Sequence, residues 1–171
     1  MERLGREFFA RGAVEVARDI VGKRIVHTVD GVELRAIITE AEAYCGTTDS
    51  ACHAYKGRTK RTEVLYRDAG TVYVYLCYGI HWLINIVVSE VDDPQCVLLR
   101  AAEGAKGPGL FTRLLKIDGS LNGANVLTSP ILRIEHGIDG DITKDTRVGI
   151  NYADPKDRDQ LWRFILKPRE Q

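Results

Sequence analysis

The 171-residue sequence is long enough for one domain that buries about two thirds of the surface its unfolded chain exposes, so no disulfide or structural metal is required for stability. Lys plus Arg and Asp plus Glu both total 24, and global charge therefore makes no case for a polyanionic partner. No stretch approaches the ~20 apolar residues of a membrane span, and Glu2 and Arg3 put charge at the very start, which points to a soluble intracellular protein without a membrane partner.

In chain order, Phe8, Val14, Val16, Ala17, Ile20 and Val21 suit one apolar helical face and predict a helix over 8–21, packed on a sheet. Two β-rich segments, Lys23 to Val29 and Val32 to Glu40, flank Asp30-Gly31, a strong signal for an antiparallel hairpin. The polar segment from Cys45 to Asp68 contains the run Lys56 to Arg67, with basic residues at 56, 58, 60, 61 and 67 against the single acid Glu63. Taken alone, such a run reads better as a solvated loop than as a ligand site. Thr71 to Tyr78 is aromatic and β-branched enough to predict a strand, interrupted by Gly79. His81 to Ser89 and Gln95 to Ala101 predict two more, separated by a turn at Glu90 to Pro94. Gly107-Pro108-Gly109 precedes a short helix over Leu110 to Ile117. Asn122-Gly123 and Asp139-Gly140 mark turns, while Val126 to Glu135 and Trp162 to Leu166 read as strands. Without repeats, low-complexity stretches or linkers, residues 1–171 predict one α+β domain.

Several catalytic patterns are missing: there is no G-x-S-x-G elbow, no phosphate loop and no H-E-x-x-H helix. Cys45, Cys52, Cys77 and Cys96 form no C-x-x-C pair and show no zinc spacing with a histidine, so no metal is expected, and Cys77 and Cys96 read as small core residues. What stands out is aromatic content: Tyr44, Tyr55, Tyr66, Tyr73, Tyr75 and Tyr78 are interleaved with the basic run. Aromatic faces stack on bases and cations neutralise phosphates, so the mixture suits nucleic acid better than either feature alone. Periodicity by itself makes Tyr73, Tyr75 and Tyr78 ordinary half-buried sheet tyrosines. By the same measure Glu40 and Glu42, on one face at a strand end, are solvated carboxylates, and His53 and His81 are packing or surface residues.

The ordered set of segments changes that balance. Thr39-Glu40-Ala41-Glu42-Ala43-Tyr44, His53, Gly70 through Gly79, Asn85-Ile86, Cys96 through Ala101, Gly107-Pro108-Gly109 and Arg147-Val148-Gly149-Ile150 resemble, in order and separation, the alkyladenine (3-methyladenine) DNA glycosylase family. The resemblance runs from about Leu4 to Leu166. It implies a single domain with a curved antiparallel β-sheet flanked by α-helices, and a protruding DNA-binding hairpin, Tyr75 to Asn85, that faces the minor groove. Glu42 matches the general base that activates a water, while Arg100 and the backbone carbonyl of Val148 match groups that hold this water. Tyr44, His53 and Tyr75 match the pocket that sandwiches a flipped base, and the His53 amide is matched to the purine edge. Asn85 matches the asparagine that crowds the 2-amino group of guanine, and Tyr78 the residue inserted into the vacated stack.

The function so implied is monofunctional excision of alkylated or otherwise damaged purines from double-stranded DNA, leaving an abasic site, by a cofactor-free monomer. Its place is with DNA, in the nucleoid or in a nucleus. None of the matched positions is a lysine, so no Schiff-base step is implied. Two features depart from the family: His81 stands where some members have an aromatic residue, and the tail Lys167 to Gln171 matches no site residue. A nucleic-acid-binding module without catalysis and a small-molecule hydrolase on the same fold are the rival readings. The first leaves Glu42 and Arg100 without a task, the second leaves Tyr78 without one.

Overall fold

The computed structural model describes residues 2–167. Two short helices, α1 (Arg6–Phe9) and α2 (Ala13–Ile20), lead into a hairpin of β1 (Arg24–Val29) and β2 (Val32–Tyr44). Three single 3-10 turns then carry the chain to a second hairpin, β3 (Val72–Cys77) and β4 (His81–Val88). After β5 (Gln95–Ala102) and a two-residue β6 (Ala105–Lys106) come α3 (Pro108–Leu114), β7 (Leu132–Glu135), β8 (Asp141–Asp145), α4 (Pro155–Arg158) and β9 (Arg163–Lys167). All pairings among the described strands are antiparallel, in the order β3-β4-β5-β2-β1-β7, with β9 added to β2 and β8 to β9. The result is the α+β architecture expected, an open sheet with helices packed against it.

β2 organises the sheet because it changes partners along its length. Its first half pairs with β1 through Val32 to Ile37. Register shifts on either side of Glu40 mark a β-bulge, which bends a strand and re-aims its side chains. Beyond it, Ala41 to Tyr44 pair with β5, and Glu40 to Glu42 pair with β9 on the other edge. Alternation sends Ala41 and Ala43 into the core, where they meet the buried stripe Ala13, Val16, Ala17 and Ile20 of α2. Glu40, Glu42 and Tyr44 therefore share the opposite face.

Several expected boundaries are corrected. The helix predicted over 8–21 is two, because Gly12 adopts extended backbone and separates α1 from α2. The strand predicted over 126–135 is only β7: Ser129 Oγ accepts the amides of Ile131 and Leu132, and Pro130 has no amide to give a ladder. The predicted helix at 110–117 starts earlier, at Pro108, and ends at Leu114. β6, β8 and α4 were not expected. Cys96 is buried as expected, but Cys77 is only half-buried at the outer end of β3, and all four cysteines are free. Of the tail, Pro168 to Gln171 lie outside the described residues. No helix among the described residues is long and apolar enough to cross a membrane.

The β3–β4 hairpin projects from the sheet, and burial falls along it from Val72 to Tyr78. At its tip the Ile80 amide donates to the Cys77 carbonyl at 3.1 Å, and both intervening residues have positive φ, Tyr78 at 52° and Gly79 at 66°. That is the backbone sense of a type I′ hairpin turn, which normally takes Asn or Gly at the position Tyr78 holds. A bulky residue with positive φ is an outlier, and Tyr78 gains no packing in return, since it is 92% exposed. The half-buried strand tyrosine expected from periodicity is thus excluded at this position. Tyr78→Ala is expected to change the unfolding free energy by less than about 0.5 kcal/mol. A urea midpoint shift equivalent to about 3 kcal/mol, the cost of truncating a core aromatic, contradicts this.

Candidate active site

Where β2 ends, the chain wraps around one carboxylate. The Cys45 amide donates to Asp49 Oδ2 at 2.9 Å and the Ala51 amide to Asp49 Oδ1 at 3.1 Å, so Asp49 closes its own loop. Arg147 meets it from the other side of the sequence, Nη1 at 2.6 Å from Oδ2 and Nη2 at 3.0 Å from Oδ1. Both side chains are fully shielded from solvent. The same guanidinium donates to the carbonyls of Ala43 and Asp157 at 3.0 and 3.1 Å, and its carbon lies 4.9 Å from the ring centroids of both Tyr44 and Trp162. A charge this deep is tolerated only with such a set of partners.

The next residue, Val148, inherits that position. Its amide donates to Glu42 Oε2 at 2.7 Å, and Tyr44 Oη donates to Glu42 Oε1 at 3.1 Å. Arg100 Nη1 stands 3.9 Å from Oε1, and Arg100 Nε 3.7 Å from Glu40 Oε2. Glu42 is completely buried. Burial pushes its carboxyl above the ordinary value, while the Val148 amide, Arg100, Tyr44 and Arg147 pull it back. Each carboxylate oxygen accepts one of these short bonds and so retains a free lone pair. Burial and the neighbouring Glu42 also hold the Tyr44 phenol far above its usual value, so it stays protonated and remains a donor.

A cleft of about 520 Å³ opens in front of this carboxylate, and Tyr44, His53, Tyr75, Tyr78, Asn85, Arg100 and Val148 all line it. Glu42 does not reach the cleft surface itself. It stands behind Tyr44 and Val148, which it holds by hydrogen bonds. His53 Nδ1 is 2.9 Å from Tyr73 Oη, and its ring centroid is 4.6 Å from that of Tyr75 at an interplanar angle of 60°. Burial, helped by the positive charge of Arg61, lowers His53 to about 4, so the ring is neutral at physiological pH. Asn85, on β4, is buried and oriented: Nδ2 donates to the Tyr73 carbonyl at 3.3 Å and Oδ1 faces Cys96 Sγ at 3.9 Å. His81 stands outside this cleft, beside α3 and Gly109.

Sequence reasoning did not single out Asp49, Arg147 or Tyr73 as parts of the site, nor the Val148 amide, having considered only its carbonyl. Asp49 and Arg147 are 98 residues apart, and nothing local marks either for the other. Tyr73 was visible as a tyrosine sharing a strand face with Tyr75. Among the described residues, no group of three or more His, Cys, Asp or Glu side chains is placed to hold a metal ion.

A family model described as methylpurine-DNA glycosylase matches residues 7–106 and 103–170. A protein of Natranaerobius thermophilus is 41% identical over 190 residues, covering 96% of this chain and 96% of its own length. One of Desulfitobacterium hafniense is 39% identical over 196 residues, covering 98% and 96%, and one of Borreliella burgdorferi 38% over 178 residues, covering 96% of each. All three relatives are provisionally named 3-methyladenine DNA glycosylases.

Removing one member of the Asp49–Arg147 pair strands a buried charge. Asp49→Ala is expected to cost about 3–5 kcal/mol, read as a lowered denaturant midpoint. A loss under about 1 kcal/mol, the worth of an exposed pair, means that the pair does not anchor the site.

Proposed function

The chain belongs to the methylpurine-DNA glycosylase family, and on that premise we propose that residues 1–171 act as one monomeric glycosylase domain excising alkylated purines, 3-methyladenine among them, from duplex DNA. The observation that carries this reading is a fully buried carboxylate, Glu42, held by an amide and a phenol directly behind a cleft whose walls include Tyr44, His53 and Tyr75. A binding module without catalysis gains nothing from burying Glu42, which costs stability whenever it is ionised.

In this reading the damaged nucleotide leaves the duplex, since its glycosidic bond is out of reach within the stack. Tyr78 at the hairpin tip fills the gap, a wedge that offsets part of the unstacking cost. The flipped purine stacks between Tyr44, His53 and Tyr75, and Asn85 crowds any 2-amino group. A cationic alkylated purine gains a cation–π contribution that a normal base lacks. The bond from C1′ to the base nitrogen breaks with both electrons going to the base, which leaves neutral, and the sugar becomes oxocarbenium-like. Glu42 stabilises that charge and takes the proton of the water that attacks C1′. The 3.9 Å from Arg100 Nη1 to Glu42 Oε1 exceeds a direct hydrogen bond and suits a water bonded to both, with the Val148 carbonyl as its third contact. The water is thus held by protein groups, and no cofactor is invoked. Among the described residues no lysine lines the cleft, in keeping with hydrolysis rather than Schiff-base chemistry.

Glu42→Gln is expected to lower single-turnover base release by at least about 10²-fold while preserving affinity for a duplex with an abasic-site analogue. Since the reacting form is ionised and burial raises the Glu42 pKa, activity is full above that raised value. It is lost as pH falls through it, in a window above the 4.5 of an ordinary glutamate. Equal rates for the variant and the parent protein remove Glu42 from the reaction.

The hairpin provides a second test. Tyr78→Ala is expected to weaken binding to damaged duplex by about 1–3 kcal/mol, the scale of base–aromatic stacking, and to reduce the flipped fraction reported by a fluorescent base. Unchanged affinity and flipping reject the wedge.

A further inference from the structure

The basic run from Lys56 to Arg67 divides into side chains with different tasks. Arg58 is committed to the protein: Glu63 binds it at 2.6 and 2.7 Å, Asp92 at 3.3 Å, and its guanidinium carbon lies 4.6 Å from the Tyr66 ring centroid. Arg61 makes no ion pair among the described residues, is exposed, and turns to the cleft instead. Its guanidinium carbon lies 5.3 Å from the centroid of Tyr75. Arg61 and Tyr75 line the same cleft, so the cation stands within reach of a base that enters it. Tyr75 also packs against His53, edge-on at 4.6 Å, and against Tyr73, tilted at 5.3 Å.

We propose that Arg61 is a specificity-determining residue, a cation beside Tyr75 whose charge opposes a positively charged base and leaves a neutral purine unopposed. The inference rests on the reading of Tyr75 as a stacking surface for the flipped base. One aromatic face stabilises one cation well, and a second cation on the same ring meets the repulsion of the first. A cationic alkylated purine therefore meets that repulsion as it stacks on Tyr75, whereas a neutral lesion such as hypoxanthine stacks without it. Arg61 so narrows the advantage that charge gives an alkylated base. Its field already reaches across the cleft, contributing to the lowered value of His53.

The test compares the parent protein with Arg61→Gln and Arg61→Lys in two assays. The first is binding of the free nucleosides 7-methylguanosine, as the cation, and inosine, as the neutral purine, followed by tyrosine fluorescence; it requires no catalysis. The second is single-turnover base release from duplexes carrying 7-methylguanine or hypoxanthine. In Arg61→Gln the preference for the cationic over the neutral ligand is expected to rise about 5-fold or more in both assays. Arg61→Lys, which keeps the charge but not the planar stack, is expected to fall in between. An NMR titration in which His53 moves up from about 4 in Arg61→Gln reports the charge at the cleft independently. An unchanged preference in Arg61→Gln overturns the proposal. So does an equal loss for both lesions with a weaker salt dependence, which makes Arg61 a phosphate contact alone. If nucleoside preference shifts but the parent protein releases no base, the glycosylase reading fails and the role of Arg61 stands.

Discussion

The contact between Asp49 and Arg147 is the constraint on which the site depends. Two charges removed from water carry a large desolvation penalty, and a bidentate geometry with further backbone acceptors is what offsets it. Arg147 supplies that geometry while touching three separate stretches: the end of β2 through Ala43, the loop that Asp49 closes, and the carbonyl of Asp157 in α4. Its position fixes the backbone of its neighbour, so the Val148 amide is delivered to Glu42 without any long side chain having to be ordered. The Tyr44 ring, packed on the same guanidinium, delivers the second donor. Both short hydrogen bonds to Glu42 thus descend from one ion pair that lies outside the cleft.

The sheet complements this arrangement. β2 is paired on both edges where Glu42 sits, by β5 and by β9, so the carboxylate rides on the most constrained backbone available. The wall residues Tyr75 and Asn85 belong to the hairpin two strands away, and the β4–β5 ladder ties that hairpin to β2 through β5. Rigidity declines outward, from the shared strand at Glu42 to the turn at Tyr78, whose tyrosine is held with positive φ and almost wholly in water. Stability alone favours Asn or Gly there. An exposed aromatic kept in an unfavourable conformation is the kind of local cost that accompanies a surface meant to contact something else.

Much of this was legible in the sequence, and what was not has a physical reason. The Asp30-Gly31 turn, the break at Gly79 and the strands of the two hairpins are local signals, set by β-branched runs and by Asp and Gly that tolerate positive φ, and they appear close to where expected, although β2 continues past the expected end at Glu40 to Tyr44. The break at Gly12 was missed because apolar spacing continues across it. β8 was missed because an exposed edge strand, Asp-Ile-Thr-Lys-Asp, has no buried face to produce alternation. The cleft residues were identified by resemblance, since Glu42 by periodicity is a strand-end carboxylate and His53 a packing histidine. The resemblance included Arg147 in a matched segment but gave neither it nor Asp49 a role, and a pairing across 98 residues leaves no periodic or turn-like trace in either segment.

Charge within the cleft is arranged rather than accumulated, in keeping with a chain whose formal charges cancel. Glu42, buried behind the cleft, is flanked by Arg100 and Arg147, which favour its ionised form against the pull of burial. The aromatic side chains of the other wall are kept uncharged with Arg61 beside them: burial and Arg61 hold His53 neutral, and burial raises the Tyr73 phenol to about 12 and that of Tyr75 well above its ordinary value. In the proposed reaction a purine entering between these walls meets neutral aromatic rings with the Arg61 cation beside Tyr75, and Glu42 supplies negative charge at the depth where the sugar becomes positive. Had His53 been protonated, it would have opposed both the cationic base and the developing oxocarbenium charge. In that proposal, placing the histidine in a buried, arginine-facing position serves the same end as placing Glu42 between two arginines: each group is held toward one charge state.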